Sequence, residues 1–199
     1  MTDVKTVGIF CGSSSGVDPI YGNAARDTGQ RLARKGIEIV YGGGRIGLMG
    51  MVAEAALAAG GRVTGVIPRA LAEREIAHAG LTTLHVVQTM HERKAKMAEL
   101  ADGFIALPGG AGTLDELFEQ WTWTQLGIHR KACGILNVNG YFDPLKEMTL
   151  RMVAEGFLHE SYAGILAFTD DLDVLLTHLH SFVPPNRKWQ TEASAKVQS

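Results

Sequence analysis

Short apolar runs and stretches of helical spacing alternate along this chain almost without interruption. Runs at 4–11, 37–41, 62–67, 84–87, 103–107, 132–138 and 165–168 are bounded by glycine, proline or polar residues, as buried strands are. Between them apolar residues recur at three and four. Asp18-Pro19 supplies an N-cap and first-turn proline for a helix carried by Ile20, Ala24, Ala25, Thr28 and Leu32, which Gly36 closes. Further helices are expected over 48–59, from Thr89 to about Ala101, through Leu114, Leu117, Phe118 and Trp121, over 144–155, and over 170–179 with Thr169 or Asp170 as cap. Residues 69–80 are irregular and read as a loop or short helix. A strand followed by a helix, repeated in this way, implies an α/β fold: a Rossmann-like, doubly wound parallel sheet with helices on both faces.

One helix breaks the pattern. Met90, Met97 and Leu100 or Ala101 mark its apolar stripe, yet Arg93 falls on the same face. An inward arginine either snorkels at the stripe's edge or meets a partner. After Phe118, Trp121, Trp123 and Leu126 make the next helix apolar on more than one side, so it is buried within the chain or against another subunit.

Length and composition narrow the class. The 199 residues suit one domain, placed at 1–183, with 184–199, beginning at Pro184-Pro185, expected to be a disordered polar tail. A net charge of −2 with acids and bases interspersed offers neither a nucleic-acid nor a membrane surface. No apolar stretch reaches the roughly 20 residues of a membrane span, and the start of the chain lacks a signal-peptide core. Cys11 and Cys133 sit in or beside apolar runs and read as reduced core residues of a cytoplasmic protein. The histidines have no ligand spacing, so no metal is expected.

Candidate chemistry lies in three glycine-rich segments, each following a strand. They are 12–16 (with Gly12 and Ser13), 42–50 (with Gly43, Gly44, Gly47 and Met49) and the turn Pro108-Gly109-Gly110-Ala111-Gly112-Thr113. In an open parallel sheet ligands bind at the carboxyl ends of the strands, where all three would lie. Glycines allow close backbone approach, and the N–H groups of a helix start favour phosphate. The loops lack both the dinucleotide fingerprint and a P-loop lysine, so a mononucleotide fits best. Glu116 admits two readings: the partner of Thr113 in a capping box, or a catalytic carboxylate at the same edge.

The segment P-G-G-A-G-T-L-D-E, with Met90-His91-Glu92-Arg93-Lys94 before it and G-G-G-x-x-G-L-M-G at 42–50, resembles the Lonely Guy family of cytokinin riboside 5′-monophosphate phosphoribohydrolases, whose members are often labelled possible lysine decarboxylases. The likeness runs from about Val7 to Phe168. It implies hydrolysis of the N-glycosidic bond of an adenosine 5′-monophosphate, N6-modified or not, to free base and ribose 5-phosphate, without a cofactor. By position, the resemblance makes Arg93 and Glu116 catalytic. It makes Lys94, Gly109, Gly110, Ala111, Gly112, Thr113, Glu75 and Thr122 substrate-binding, together with Arg93 and Glu116. Related proteins are dimers, so a homodimer or a higher even-numbered assembly is expected, with the Trp121–Trp123 surface at the contact. Ala111 stands where many plant-like members have tyrosine, and Asp115 where glutamate is common. The contrasting reading is a carrier of the same superfamily that holds a nucleotide or molybdenum cofactor without cleaving it. The decarboxylase label finds no support, since glycine turns do not identify a Schiff-base lysine.

Overall fold

The computed structural model describes residues 3–73 and 77–186. Seven strands form one parallel sheet in the order β4-β3-β2-β1-β5-β6-β7. They are β1 Thr6–Phe10, β2 Glu38–Tyr41, β3 Val63–Pro68, β4 Thr83–Val87, β5 Gly103–Ala106, β6 Cys133–Leu136 and β7 Leu166–Thr169. The helices are α1 Pro19–Arg34, α2 Gly47–Ala58, α3 Arg69–Ala72, α4 Met90–Leu100, α5 Ala111–Leu126, α6 Asp143–Ala154, α7 Glu160–Ala163 and α8 Leu172–Ser181.

Alternation along the strands sorts the core into two layers. Val7, Ile9, Ile39, Tyr41, Ile105 and Leu107 point to one face, where α1, α2 and α8 cover them. Phe10, Val40, Phe104 and Ala106 point to the other, against Met97 and Ala98 of α4 and Leu117 and Trp121 of α5. The chain therefore leaves β1 towards one face and β5 towards the other. These neighbours, registered Val7 to Gly103 and Phe10 to Ala106, form the switch point at which a doubly wound sheet binds ligands.

Local signals placed the starts of α1 and α4. Asp18 caps α1, its Oδ1 accepting from the Ile20 amide at 2.9 Å. Thr89 caps α4, its hydroxyl accepting from the Glu92 amide at 3.1 Å, while Glu92 accepts from the Gln88 amide at 2.8 Å. Two expectations need correction, and one helix was not foreseen. The cap of α8 is Asp171, because its carboxylate reaches the Asp173 amide at 2.8 Å. The four-residue α7 is too short to show helical periodicity. On α4, Met90 is 44% exposed, and the buried face is Arg93, Lys94, Met97 and Ala98. Both cations turn inward because carboxylates on α5 await them.

The surplus apolar surface assigned to α5 is in large part covered by the chain itself. Trp121 is buried and donates to the Tyr162 carbonyl at 2.7 Å. Trp123 meets the His129 ring edge-on at 6.1 Å. Cys11 and Cys133 are both buried and free, their thiols pushed up by burial. No helix among the described residues is long and apolar enough to cross a membrane.

Candidate active site

The three glycine segments meet at the carboxyl edge of β1, β2 and β5. The Gly12 amide donates to the Pro108 carbonyl at 3.0 Å, and the Gly12 carbonyl accepts from the Met49 amide at 3.3 Å. Gly47, at φ 62°, rests on the backbone of Ser13. Gly44 accepts from the Tyr41 hydroxyl at 3.1 Å, and the Gly43 carbonyl accepts from the His78 amide at 3.0 Å. Gly12, Ser13, Gly43, Gly44, Gly47 and Met49 thus build the frame of the edge around the β5–α5 turn.

That turn leads directly into a helix. Gly110 is the N-cap of α5, with no side chain in the capping role, and the helix begins at Ala111. Thr113 is consequently the third helical residue and 3% exposed, so the capping-box reading of Thr113 and Glu116 is incorrect. The helix starts early because glycine can cap through its backbone alone. The Thr113 hydroxyl fills the space a Cβ on Gly109 would need, which makes glycine obligatory there.

With capping removed, Glu116 is explained by Arg93. Arg93 Nη1 lies 2.9 Å from Glu116 Oε1, and the two side chains are 10% and 9% exposed. Arg93 Nε also donates to the Val66 carbonyl at 3.1 Å, and its guanidinium fills the place of a side chain at Gly42. The arginine is therefore fixed by the backbone of β3 and of the residue that follows β2. Burial pushes the Glu116 carboxyl above the ordinary carboxylate range. Arg93 pulls it back, Asp115 adds to the rise and Lys94 opposes it. A buried carboxylate held by one cation takes up a proton more readily than an exposed one.

Lys94 faces a different way. Its ammonium is 3.1 Å from both Asp115 and Glu119. Burial would lower its pKa, but these two bonds outweigh burial and raise it. Two adjacent residues of α4 thereby clasp three acids of α5, Asp115, Glu116 and Glu119. Thr122 is exposed and lies on the Asp115–Glu119 side of α5, away from Glu116. Glu75, with Arg74 and Ile76, falls outside the described residues. The structure thus brings Arg93, Glu116 and 109–113 together at one edge and places Lys94 and Thr122 on the neighbouring helix face. Sequence reasoning missed the Val66 carbonyl and the seat at Gly42. Only the glycine run at 42–44 signalled that something approaches there.

Known proteins resemble this chain over most of its length. The family described as possible lysine decarboxylase matches residues 49–179. A probable cytokinin riboside 5′-monophosphate phosphoribohydrolase of Oryza sativa subsp. japonica is 46% identical over 188 residues, spanning 92% of this chain and 84% of the relative. The cytokinin riboside 5′-monophosphate phosphoribohydrolase of Rhodococcoides fascians is 47% identical over 178 residues, spanning 89% of this chain and 90% of the relative. Among solved structures, the molybdenum cofactor binding protein of Rippkaea orientalis superposes with TM-score 0.66 at 18% identity, covering 89% of this chain and 96% of that one. The Moco carrier protein of Chlamydomonas reinhardtii gives 0.65 at 17% identity, with 87% and 94% covered. At those identities the structural likeness speaks for the fold alone.

Proposed function

We propose a function from one premise: this chain belongs to the family described as possible lysine decarboxylase and, within it, to the Lonely Guy phosphoribohydrolases. It hydrolyses the N-glycosidic bond of an adenosine 5′-monophosphate, plain or N6-substituted, giving the free base and ribose 5-phosphate. The buried Arg93–Glu116 pair beside the glycine turn carries this reading.

The amides at the start of α5 receive the 5′-phosphate, aided by the helix dipole. Glu116 lies five residues beyond Ala111, about 7.5 Å of helix rise, on the scale a ribose spans between its phosphate and its anomeric carbon. As the glycosidic bond lengthens, positive charge develops on the sugar and the Glu116 carboxylate stabilises it. Water attacks the anomeric carbon and gives a proton to Glu116. The electron pair of the broken bond goes to the base nitrogen, which takes up a proton from solvent, and Glu116 then returns its own proton to solvent. Arg93, tied to Val66 and crowded against Gly42, fixes the carboxylate's orientation. Lys94 contributes from the second rank, holding α5 against α4 through Asp115 and Glu119. We further infer a homodimer on the family resemblance, and a cytoplasmic location consistent with two free thiols.

The test is incubation with AMP and N6-substituted AMP, followed by detection of free base and ribose 5-phosphate. Tight nucleotide binding without release of base would favour the carrier reading instead.

A further inference from the structure

Tyr141 belongs to none of the three glycine segments, yet it touches the turn on which the proposed function rests. Its hydroxyl donates to the Gly109 carbonyl at 2.6 Å. The side chain is 41% exposed but not free to swing. Its ring packs edge-on against Tyr21 at 5.7 Å and against Phe142 at 4.9 Å, and Phe142 is core.

The loop that carries Tyr141 is built to aim it. Asn139 adopts φ 52° and Gly140 φ 69°, two successive left-handed residues within a one-turn 3-10 helix at Val138–Gly140. Asn137 braces the far side: its Oδ1 accepts from the Phe142 amide at 2.7 Å and its Nδ2 donates to Asp143 at 2.7 Å. A non-glycine residue in that conformation persists only where surrounding contacts impose it.

The bond decides the orientation of one peptide plane. In a planar trans peptide the C=O and the following N–H point in opposite directions. A Gly109 carbonyl fixed on Tyr141 therefore turns the Gly110 N–H to the other side of the plane. With glycine on both sides of that peptide, no Cβ resists its turning over. Packing does not resist it either. A cavity of about 280 Å³ opens between Tyr141, Tyr21, Ser13, Ser14 and the Gly109–Gly110 backbone.

We infer that Tyr141 is a positioning residue for the phosphate-binding turn. By holding the Gly109 carbonyl, it keeps the Gly109–Gly110 peptide in the one orientation that presents the Gly110 N–H, with the amides that open α5, to the 5′-phosphate. The inference depends on the phosphate role given to this turn under the proposed function.

Tyr141→Phe isolates the claim, since it keeps both ring contacts and removes only the hydroxyl. KM for AMP should rise about fivefold to tenfold, on the scale of one hydrogen bond, with kcat within about twofold and the melting temperature unchanged. AMP binding, measured by calorimetry in the Glu116→Gln background, should weaken by the same factor. Inhibition by adenosine, which lacks the phosphate, should not change. Unaltered AMP binding overturns the inference, and so does equal weakening of AMP and adenosine. Should the wild type release base from no nucleoside monophosphate, the proposed reaction fails, while the calorimetric comparison still decides the role of Tyr141.

Discussion

The guanidinium of Arg93 occupies the position that a side chain at Gly42 would take. Gly42 directly follows β2, and Arg93 reaches it from α4 while bonding Val66 on β3 and Glu116 on α5. The Arg93–Glu116 pair is thus held by an absence: bare backbone just past one strand end lets an arginine lie against it.

Gly42→Ala should therefore damage the reaction more than the fold. The new methyl group pushes the guanidinium off its seat and Glu116 loses its orientation. Displacement of about an ångström costs on the order of 100-fold in rate. Circular dichroism should be unchanged while kcat/KM falls by at least tenfold. Full activity in the alanine variant would refute this account of Arg93.

Glu116→Gln leaves a hydrogen-bonding side chain of the same shape opposite Arg93. The protein should fold, and kcat should drop about 100-fold or more, because the lost charge acts chiefly in the transition state. Glu116→Ala should be worse for stability, by about 3 kcal/mol or more, since Arg93 would be left buried and unpaired. A glutamine variant that keeps its rate would remove Glu116 from the mechanism.

A substrate lacking the 5′-phosphate should react poorly. The proposed function seats the phosphate at the start of α5, and leaving that seat empty forfeits binding energy that helps to hold the sugar against Glu116. AMP and adenosine should differ in kcat/KM by a factor of about 100 or more. Similar values for the two would end the phosphate assignment.

Much of this was legible from short-range pattern. Asp18, Thr89 and Glu92 declared their helices because a cap depends on residues two to four positions away. The role of Glu116 was not decidable in that way. The motif around Thr113 satisfies a capping box, and only the observed start at Ala111 excludes it. The α4 stripe misled for a similar reason. Periodicity registers apolar residues, whereas the face it sought is half filled by Arg93 and Lys94, whose burial depends on Glu116, Asp115 and Glu119 more than twenty residues away. The pairing of Arg93 with Gly42 and Val66 requires three elements at once, which no single-sequence pattern contains.

His129 makes stability depend on pH. It is packed between Phe104 and Trp123, with Nε2 3.0 Å from the Gln120 side chain and Nδ1 3.3 Å from the Thr124 hydroxyl. Burial, with Lys131 nearby, lowers its pKa from 6.5 to about 4. The folded state thus holds a neutral imidazole where the unfolded chain becomes protonated. This contribution is present above pH 6.5 and is lost as pH falls from 6.5 towards 4, by up to about 3 kcal/mol. Denaturation midpoints measured across that interval should decline, and His129→Asn should flatten the decline. A variant with an unchanged slope would place the acid sensitivity elsewhere.

The homodimer is checked by sedimentation at micromolar concentration. Two copies should travel together, and a fully active species of 21.4 kDa would exclude the assembly.

β1 leaves the ribosome before its two neighbours, and β2 can pair with it soon afterwards. Its other neighbour, β5, is made almost a hundred residues later, so one flank of β1 stays an unpaired edge until β5 emerges. Arg93 emerges before β5 and Glu116 after it, and their meeting waits for that edge to close. In refolding, the return of hydrolysis should accordingly be among the last signals to recover, behind helix content, because loop closure of this span sets the pace. Catalysis here reports that the two halves of the sheet have met.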